Sequence, residues 1–221
     1  MLCVLLPAVA PARVAQAQQA AGARPVVVLD AAHGGDDVGA GLGSQPEKNL
    51  TLALSVKLRS LLAARGFTVV TTRENDTAVD ADQRAEIADH AGALACLSIH
   101  ATQAGSGVHL FVSSLAPVET AHMLAWKTAQ AAWVAHSLSL AGVINSAFGQ
   151  AGMTVTLGRT DLPGVDSMTC PAVVIEVAPQ KSTDGSAKAN PDDATVQAHV
   201  AEALAAAMVE WRAETRNGGQ R

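Results

Sequence analysis

Hydrophobic and polar positions divide the chain into two alternating kinds of segment. Short runs that are continuously apolar or β-branched indicate strands buried on both faces. These runs are Val26–Asp30, Phe67–Thr72, Leu94–His100, Gly107–Ser113 and Ala172–Val177. Longer segments between them place Leu or Ala at helical spacing: Lys48–Arg65, Asp80–Gly92, Pro117–Leu140 (a long helix or a helix pair), Ala141–Gln150 and Val196–Thr215. Strands separated by helices need crossover connections, so the order predicts a single α/β domain with a twisted, mainly parallel sheet between helical layers.

The composition supports a folded domain and excludes some partners. The 221 residues are 49% hydrophobic and only 16% charged, which is opposite to the composition of disordered chains. Aromatic residues make up 3%, so the core must consist mainly of Val, Leu, Ile and Ala. A net charge of −5 provides no basic surface, and we expect no nucleic-acid partner. After the N-terminal segment no run reaches the length of a membrane span, and none is expected.

The first 23 residues have the pattern of a signal peptide and leader. Leu2–Ala12 is an apolar run of suitable length, and Ala15-Gln16-Ala17 forms an A-x-A cleavage pattern. No Lys or Arg precedes the run, which departs from the usual signal. We expect cleavage near residue 17 and export to the periplasm or cell envelope. The folded domain is then expected over residues 24–216, with residues 217–221 as a tail.

Cys96 and Cys170 lie in or beside predicted strands, whereas Cys3 belongs to the leader. An exported pair can be oxidised, so a disulfide between adjacent strands and two buried free thiols both remain open. Without C-x-x-C spacing, the cysteines do not predict a zinc–thiolate site.

Four chemically useful side chains stand at the ends of predicted elements. His33 follows the first strand, His100 ends the third, and Glu176 lies near the end of the last. Glu47 stands at or just before the start of the first helix. Because ligand sites in parallel sheets gather at the carboxyl ends of the strands, we expect two His and two Glu side chains to converge.

Two imidazoles and one carboxylate form a common ligand set for catalytic zinc, and a second carboxylate can move protons. The four residues therefore fit metal-assisted amide hydrolysis. Each also has a structural alternative: a single His is often only hydrogen-bonded, and an acid at a helix start favours the helix dipole. Glu176 fits such an alternative least, since an acid within AVVIEV is costly to bury without a partner.

The remaining histidines are weaker candidates. His109 begins a predicted strand two residues after Gly107 and could approach the same sheet edge, as a less favoured metal ligand. The others lie in helical segments and are expected to be surface or packing residues: His90, His122, His136 and His199.

Several ordered motifs make the chain resemble the zinc-dependent N-acetylmuramoyl-L-alanine amidases. The principal ones are Val28–Gly35, Gly39-Ala40, Glu47–Asn49, Gly66–Val69, Ser98–Ala101 and Pro171–Glu176. The resemblance covers nearly the whole chain after the leader and implies a phosphorylase/hydrolase-like fold. It also implies one zinc ion per chain, bound by His33, Glu47 and His100, with Glu176 as the catalytic carboxylate. The implied reaction cleaves the amide between N-acetylmuramic acid and L-Ala of peptidoglycan, in cell-wall turnover or cell separation.

The chain departs from the family pattern near the site. Ala31-Ala32 replaces the usual Pro-Gly, Thr102 replaces an Asn, and Val177–Gln180 replaces a Gly-Phe segment. No expected ligand is lost, but the stem-peptide preference stays open. At Arg73 and Arg84 we expect structural, ion-paired side chains.

The resemblance also bears on regulation and assembly. Residues 114–154 have the length of the family's ordinary helices, so we expect no helix that blocks the site, and a monomer. The sequence does not identify an activator protein. Two other functions remain open: another zinc hydrolase such as a carboxypeptidase, with Asp36 and Asp37 near a second metal, and a non-catalytic peptidoglycan-binding protein.

Overall fold

A computed structural model describes residues 23–118, 124–181 and 188–218. The expected signal peptide lies outside the described residues, as do His122 and the last three residues of the expected tail.

The elements follow the predicted alternation of strands and helices. The strands are β1 (Val26–Ala31), β2 (Gly41–Leu42), β3 (Gln45–Pro46), β4 (Thr68–Thr71), β5 (Ala95–Ala101), β6 (Val108–Ser113), β7 (Val155–Thr160), β8 (Ala172–Val177), β9 (Gln180–Lys181) and β10 (Lys188–Ala189). The α-helices are α1 (Glu47–Ala64), α2 (Ala81–Ala91), α3 (Val134–Gln150) and α4 (Ala194–Gly218). Short 3-10 helices cover Trp126–Ala132 and Val165–Ser167. Helix α4 extends two residues into the expected tail.

Six strands form the main sheet in the order β4-β1-β5-β8-β6-β7. Strands β4, β1, β5 and β8 are parallel, β6 is antiparallel to β8, and β7 is parallel to β6. The predicted mainly parallel sheet is therefore confirmed. Strand β6 reverses direction because only residues 102–107 connect it to β5. A parallel connection would need a dozen or more residues.

The sequence prediction left two segments unsettled. Strand β7 was not predicted, because as an edge strand it lacks the continuous apolar pattern of the central strands; Leu157 is 48% exposed. For Pro117–Leu140 the sequence left one long helix and a helix pair open, and the described part of the segment fits the pair. The chain forms a 3-10 helix over Trp126–Ala132 and then α3, with an axis bend of 64° between them and non-helical dihedrals at Thr128.

Apolar side chains pack against both faces of the sheet. Leu and Ala side chains of α1, α3 and α4 cover one face in a large core that includes Leu50, Leu140 and Leu204. A smaller cluster covers the other face, where α2 and the β7–β8 connection pack. Cys96 and Cys170 are joined by a disulfide in this smaller cluster, which resolves the two alternatives left by the sequence.

No single described helix is both long and apolar enough to cross a membrane. Only the bent pair Trp126–Ala132 and Val134–Gln150 reaches that length and apolarity together.

A buried polar network holds the end of β1. Asp30 accepts hydrogen bonds from the hydroxyls of Thr72 and Ser98, each at 2.7 Å, and pairs with Arg84 at 2.5 Å. Arg84 also donates to the carbonyls of Ala31 and His33, both at 2.8 Å. The expected ion-paired role of Arg84 is therefore confirmed, and it ties α2 to the residues that follow β1.

Arg73 differs from that expectation. It donates to the backbone carbonyls of Ala31, Ala32 and Lys48 and to the hydroxyl of Thr51, and no carboxylate of the described residues pairs with it. Burial, and next the nearby charge of Arg84, lower the pKa of Arg73.

We predict that Arg84→Leu lowers the free energy of unfolding by about 3–5 kcal/mol, because it leaves the buried Asp30 carboxylate without its cation. Arg59 provides a matched control, since it pairs with Glu74 at the surface with 41% of its side chain exposed. Arg59→Leu should cost less than about 1 kcal/mol. Urea unfolding of both variants measures the difference, and equal losses would contradict the proposed role of Asp30 burial.

Candidate functional site

His33 lies in the loop that directly follows β1, and its backbone is left-handed, with φ 63°. Such a conformation is strained for a residue with a side chain and persists only where its surroundings hold it. Arg84 donates to the His33 carbonyl, and Nδ1 of His33 lies 2.8 Å from Oδ2 of Asp37. A β-carbon at the next residue, Gly34, would collide with the carbonyl oxygen of Thr77, so glycine is required there.

Lys48 and Asp76 hold this loop from its other side. The Lys48 ammonium donates to the Gly35 carbonyl and to Asp76, both at 2.7 Å, and Asp76 accepts from the Gly35 N–H at 2.8 Å. These bonds, with the one from Arg84, fix the direction in which the His33 imidazole leaves the backbone.

Glu47 is the first residue of α1 and follows the short β2–β3 hairpin. Its Oε2 accepts from the Ala40 N–H at 2.9 Å and lies 3.0 Å from Nε2 of His33. Its Oε1 accepts from the Ala101 N–H at 2.9 Å and lies 3.0 Å from Nδ1 of His100. The carboxylate, only 4% exposed, thus joins three separate segments.

Burial by itself would raise the pKa of Glu47, but the hydrogen bonds from His100 and His33, and then from Ala40 and Ala101, outweigh it and lower the pKa below its usual range. The hydrogen bond to Glu47 raises the pKa of His33, against the effect of burial. The site therefore favours the Glu47 carboxylate anion, which faces a ring nitrogen of His33 and one of His100, and the anion is the form of a carboxyl group that binds a metal ion.

His100, near the end of β5, completes the group. Its ring centroid lies 5.3 Å from that of His33, with the rings nearly perpendicular. One ligand atom from each of His33, Glu47 and His100 lies within 4.8 Å of the other two, so these residues could hold a metal ion. At Gly39, a β-carbon would lie 2.6 Å from the His33 ring and 2.7 Å from Oε2 of Glu47, so only glycine lets this backbone close over the ligands.

Asp36 and Asp37 do not form a second metal group. Asp37 is hydrogen-bonded to the ring of His33, and a carboxylate in such a position is typical of those that orient metal-binding histidines. The described chain contains no other cluster of three His, Cys, Asp or Glu side chains with metal-ligand spacing. The orienting contact of Asp37 was missed in the sequence, although its position four residues after His33 is visible there.

Glu176 lies on β8 directly beside His100, since the two residues are register partners on parallel strands. On its other side, antiparallel β6 makes His109 the partner of Glu176. Nδ1 of His109 lies 2.8 Å from Oε2 of Glu176. His109 thus reaches the expected sheet edge, but it lies outside the metal-ligand group and contacts the carboxylate instead.

A cavity of about 530 Å³ opens beside these residues on the α2 face of the sheet. His33, His100 and Glu176 line one part of it. Apolar side chains from the β7–β8 connection line another: Leu162, Pro163, Val165 and Met168. Its size is within the range of pockets that bind small molecules. The sequence did not predict this apolar wall. Because β7 was not predicted, the position of the segment between β7 and β8 could not be inferred.

Known proteins resemble this chain over most of the described fold. The family model described as N-acetylmuramoyl-L-alanine amidase matches residues 27–210. The chain is 43% identical over 81 residues to the N-acetylmuramoyl-L-alanine amidase AmiA of Escherichia coli (strain K12), which covers 36% of this chain and 28% of that protein. It is 35% identical over 89 residues to the germination-specific N-acetylmuramoyl-L-alanine amidase of Bacillus subtilis (strain 168), over 34% of this chain and 38% of that protein.

Solved structures extend the likeness to nearly the whole described fold. The catalytic domain of CwlV, an N-acetylmuramoyl-L-alanine amidase from Bacillus (Paenibacillus) polymyxa var. colistinus, is 27% identical with a TM-score of 0.65, over 85% of this chain and 97% of that one. Ami1 of Mycobacterium smegmatis, 21% identical, shares the fold with a TM-score of 0.66, over 85% of this chain and 96% of that one. The chain belongs to the N-acetylmuramoyl-L-alanine amidase family.

Proposed function

We propose that the protein is a zinc-dependent amidase that cleaves the bond between N-acetylmuramic acid and L-Ala in peptidoglycan. The observation that carries the proposal is the His33–Glu47–His100 group beside Glu176 at one sheet edge. Two imidazole nitrogens and a carboxylate oxygen suit zinc and leave a coordination position for a reactant. The family of the chain supports the choice of this amide bond over others.

Zinc held by His33, Glu47 and His100 would supply Lewis acidity to the scissile carbonyl and to the attacking water. The protein contributes the placement of the ligands. Asp37 orients the His33 ring, and the N–H groups of Ala40 and Ala101 hold the Glu47 carboxylate. These contacts keep the three side chains in place before substrate arrives, which lowers the cost of assembling the site.

Glu176 is the acid–base residue of the proposal. It accepts a proton from the attacking water as the new carbon–oxygen bond forms at the lactyl carbonyl. It then returns the proton to the L-Ala nitrogen as the carbon–nitrogen bond breaks, so that the stem peptide leaves as a neutral amine. The position of Glu176 supports this role. It lies beside His100 and lines the same cavity, but it is not one of the three residues that would bind the metal.

Digestion of purified peptidoglycan tests the bond and the metal together. We expect mass spectrometry to find released peptides with a free L-Ala amino terminus, a chelator to abolish their release, and added zinc to restore it.

His100→Ala should lower bound zinc in elemental analysis, whereas His199→Ala, at an exposed position of α4, should not. Release of carboxyl-terminal amino acids without such peptides would favour a carboxypeptidase, and binding without any cleavage a non-catalytic protein.

Replacing the acid–base carboxylate should separate catalysis from metal binding. We expect Glu176→Gln to retain zinc and to fold as stably as the wild type, because the amide has the same shape and Glu176 is not a ligand. The rate should fall by about 10²–10⁴-fold, the usual contribution of a general acid–base. Initial rates of peptide release and zinc content measure the two effects, and an unchanged rate would refute the assignment.

We also propose that the protein is exported to the cell envelope, where its substrate lies. The Cys96–Cys170 disulfide supports this location, because disulfides persist in oxidising compartments and are rare in the cytosol. The leader-like pattern of residues 1–23 points the same way.

The disulfide gives a direct test of compartment and stability. The protein expressed with its leader and purified from the cell envelope, after loss of Cys3 with that leader, should show no reactive thiol when unfolded without reductant. The two cysteines are 74 residues apart. Reduction should lower the free energy of unfolding by about 2–4 kcal/mol through loss of that loop closure. The double variant Cys96→Ala/Cys170→Ala should lose a similar amount and show no further response to reductant. Two reactive thiols in the purified protein would contradict the proposal.

A further inference from the structure

We infer that His109 is a positioning residue for Glu176, a role that rests on the acid–base function proposed above. Nδ1 of His109 lies 2.8 Å from Oε2 of Glu176. Both groups are partly sheltered, with 17% and 29% of their side chains exposed, so solvent competes only partly for this contact. A hydrogen bond between an imidazole N–H and a carboxylate is stronger than one between neutral groups.

Strand direction produces the contact. His109 and Glu176 are opposite partners on antiparallel strands, so their side chains leave the same face of the sheet. His100 is the neighbour of Glu176 on the other side, in β5. Glu176 therefore lies between His100, a proposed metal ligand, and His109, which is not one of the proposed ligands. This order places His109 where it acts on Glu176 and not on the metal.

The neighbours of the His109 ring limit its position. Gly105, in the left-handed region with φ 75°, packs its backbone against the other side of the imidazole. A β-carbon there would lie 2.8 Å from Cε1 and Nε2 of His109. Phe111, two residues along β6, contacts the ring edge-on with centroids 6.4 Å apart. These neighbours hold the ring in place, and Nδ1 rather than Cδ2 then faces Oε2 of Glu176, because only the nitrogen can donate a hydrogen bond.

The consequence for the reaction is an oriented carboxylate. Since a carboxylate oxygen can only accept, Nδ1 of His109 is the donor to Oε2, and no side chain or N–H of the described residues donates to Oε1. The bond removes the rotation of the carboxylate about its last torsion and leaves one oxygen for the proton of the attacking water. Holding a reacting group in one geometry contributes to rate through orientation. His109 itself exchanges no proton with the substrate.

Paired substitutions of His109 distinguish positioning from packing. His109→Leu keeps an apolar body of similar size but has no donor. His109→Asn is smaller, yet its amide nitrogen is attached to Cγ as Nδ1 is, so it can donate from nearly the same place. Loss of one charge-assisted hydrogen bond should lower kcat of His109→Leu by about 10- to 100-fold. Zinc content should stay unchanged, and KM should stay within about threefold, because neither ligands nor substrate contacts are removed.

His109→Asn should recover kcat to within about threefold of the wild type, although it fills the space less well. His90→Leu is the matched control, since His90 lies exposed on α2 and its ring hydrogen-bonds only to the carbonyl of Glu86 among the described residues; its kinetics should equal the wild type. Wild-type kcat in His109→Leu would overturn the inference. An equal loss in His109→Leu and His109→Asn would overturn it as well, because packing and not the donor would then matter.

A measurement without substrate separates this inference from the proposed function. Nitrogen-15 NMR of the histidine-labelled, zinc-loaded protein reports which ring nitrogen carries the proton, and the hydrogen bond sets that choice. We expect a proton on Nδ1 of His109 in the wild type, and a changed signal in Glu176→Ala. A proton on Nε2 alone in the wild type would overturn the contact with Glu176. A protein that cleaves no peptidoglycan but keeps the proton on Nδ1 would refute the proposed function while supporting the His109–Glu176 contact.

Discussion

The carboxylate of Glu47 is the point at which three distant parts of the chain meet. Its two oxygens accept the N–H groups of Ala40 and Ala101 and face the rings of His33 and His100. A buried carboxylate is expensive to desolvate, and here that cost is offset only when all four partners are in place. The loop after β1, the start of α1 and the end of β5 must therefore be arranged together, and the geometry that offsets the cost of burial is also the geometry that could hold a metal ion.

A second buried carboxylate, that of Asp30 at the end of β1, helps to hold this arrangement. Asp30 draws Thr72, Ser98 and Arg84 around the end of β1, and Arg84 extends the network to the carbonyl of His33. Hydrogen-bonded buried networks specify one arrangement because each unsatisfied member is costly. The strained backbone of His33 is held by this network and by the Lys48–Asp76 contacts at Gly35. Residues outside the candidate metal-binding group therefore hold that group in place.

Strand direction determines which side chains lie next to Glu176. In the parallel part of the sheet, only carboxyl-terminal strand ends reach the site, which accounts for His33, His100 and Glu176. Strand β6 runs the other way, so it contributes its first residues to the same edge. That reversal brings His109 beside Glu176. Strand β7 pairs with β6 in the same direction, and the connection from β7 to β8 supplies the apolar wall of the cavity. One short loop after β5 therefore shapes both the surroundings of the carboxylate and the space for substrate.

The sequence by itself determined the elements, the sheet class and the convergence of the metal-ligand residues. Continuous apolar strands can only be buried on both faces, and polar residues such as His33 and His100 at their ends must then share one edge. Helix α2 was also readable, because Asp80 and Gln83 form a capping box at its start and Gly92 ends it in the left-handed conformation. The resemblance to a known family named the same residues. Local pattern failed at β7, where an exposed edge strand has no continuous apolar run to reveal it, and it left open whether residues 117–140 form one helix or two.

Tertiary structure alone decided the contacts between residues that the sequence places far apart. The pairing of Cys96 with Cys170 depends on which strands are neighbours, and a sequence pattern does not encode strand order. Whether His109 binds a metal or a carboxylate depends on a side-chain distance of a few ångströms, set by the direction and register of β6 against β8. Residue types and spacing limit which chemistry is available, while packing determines which atom meets which.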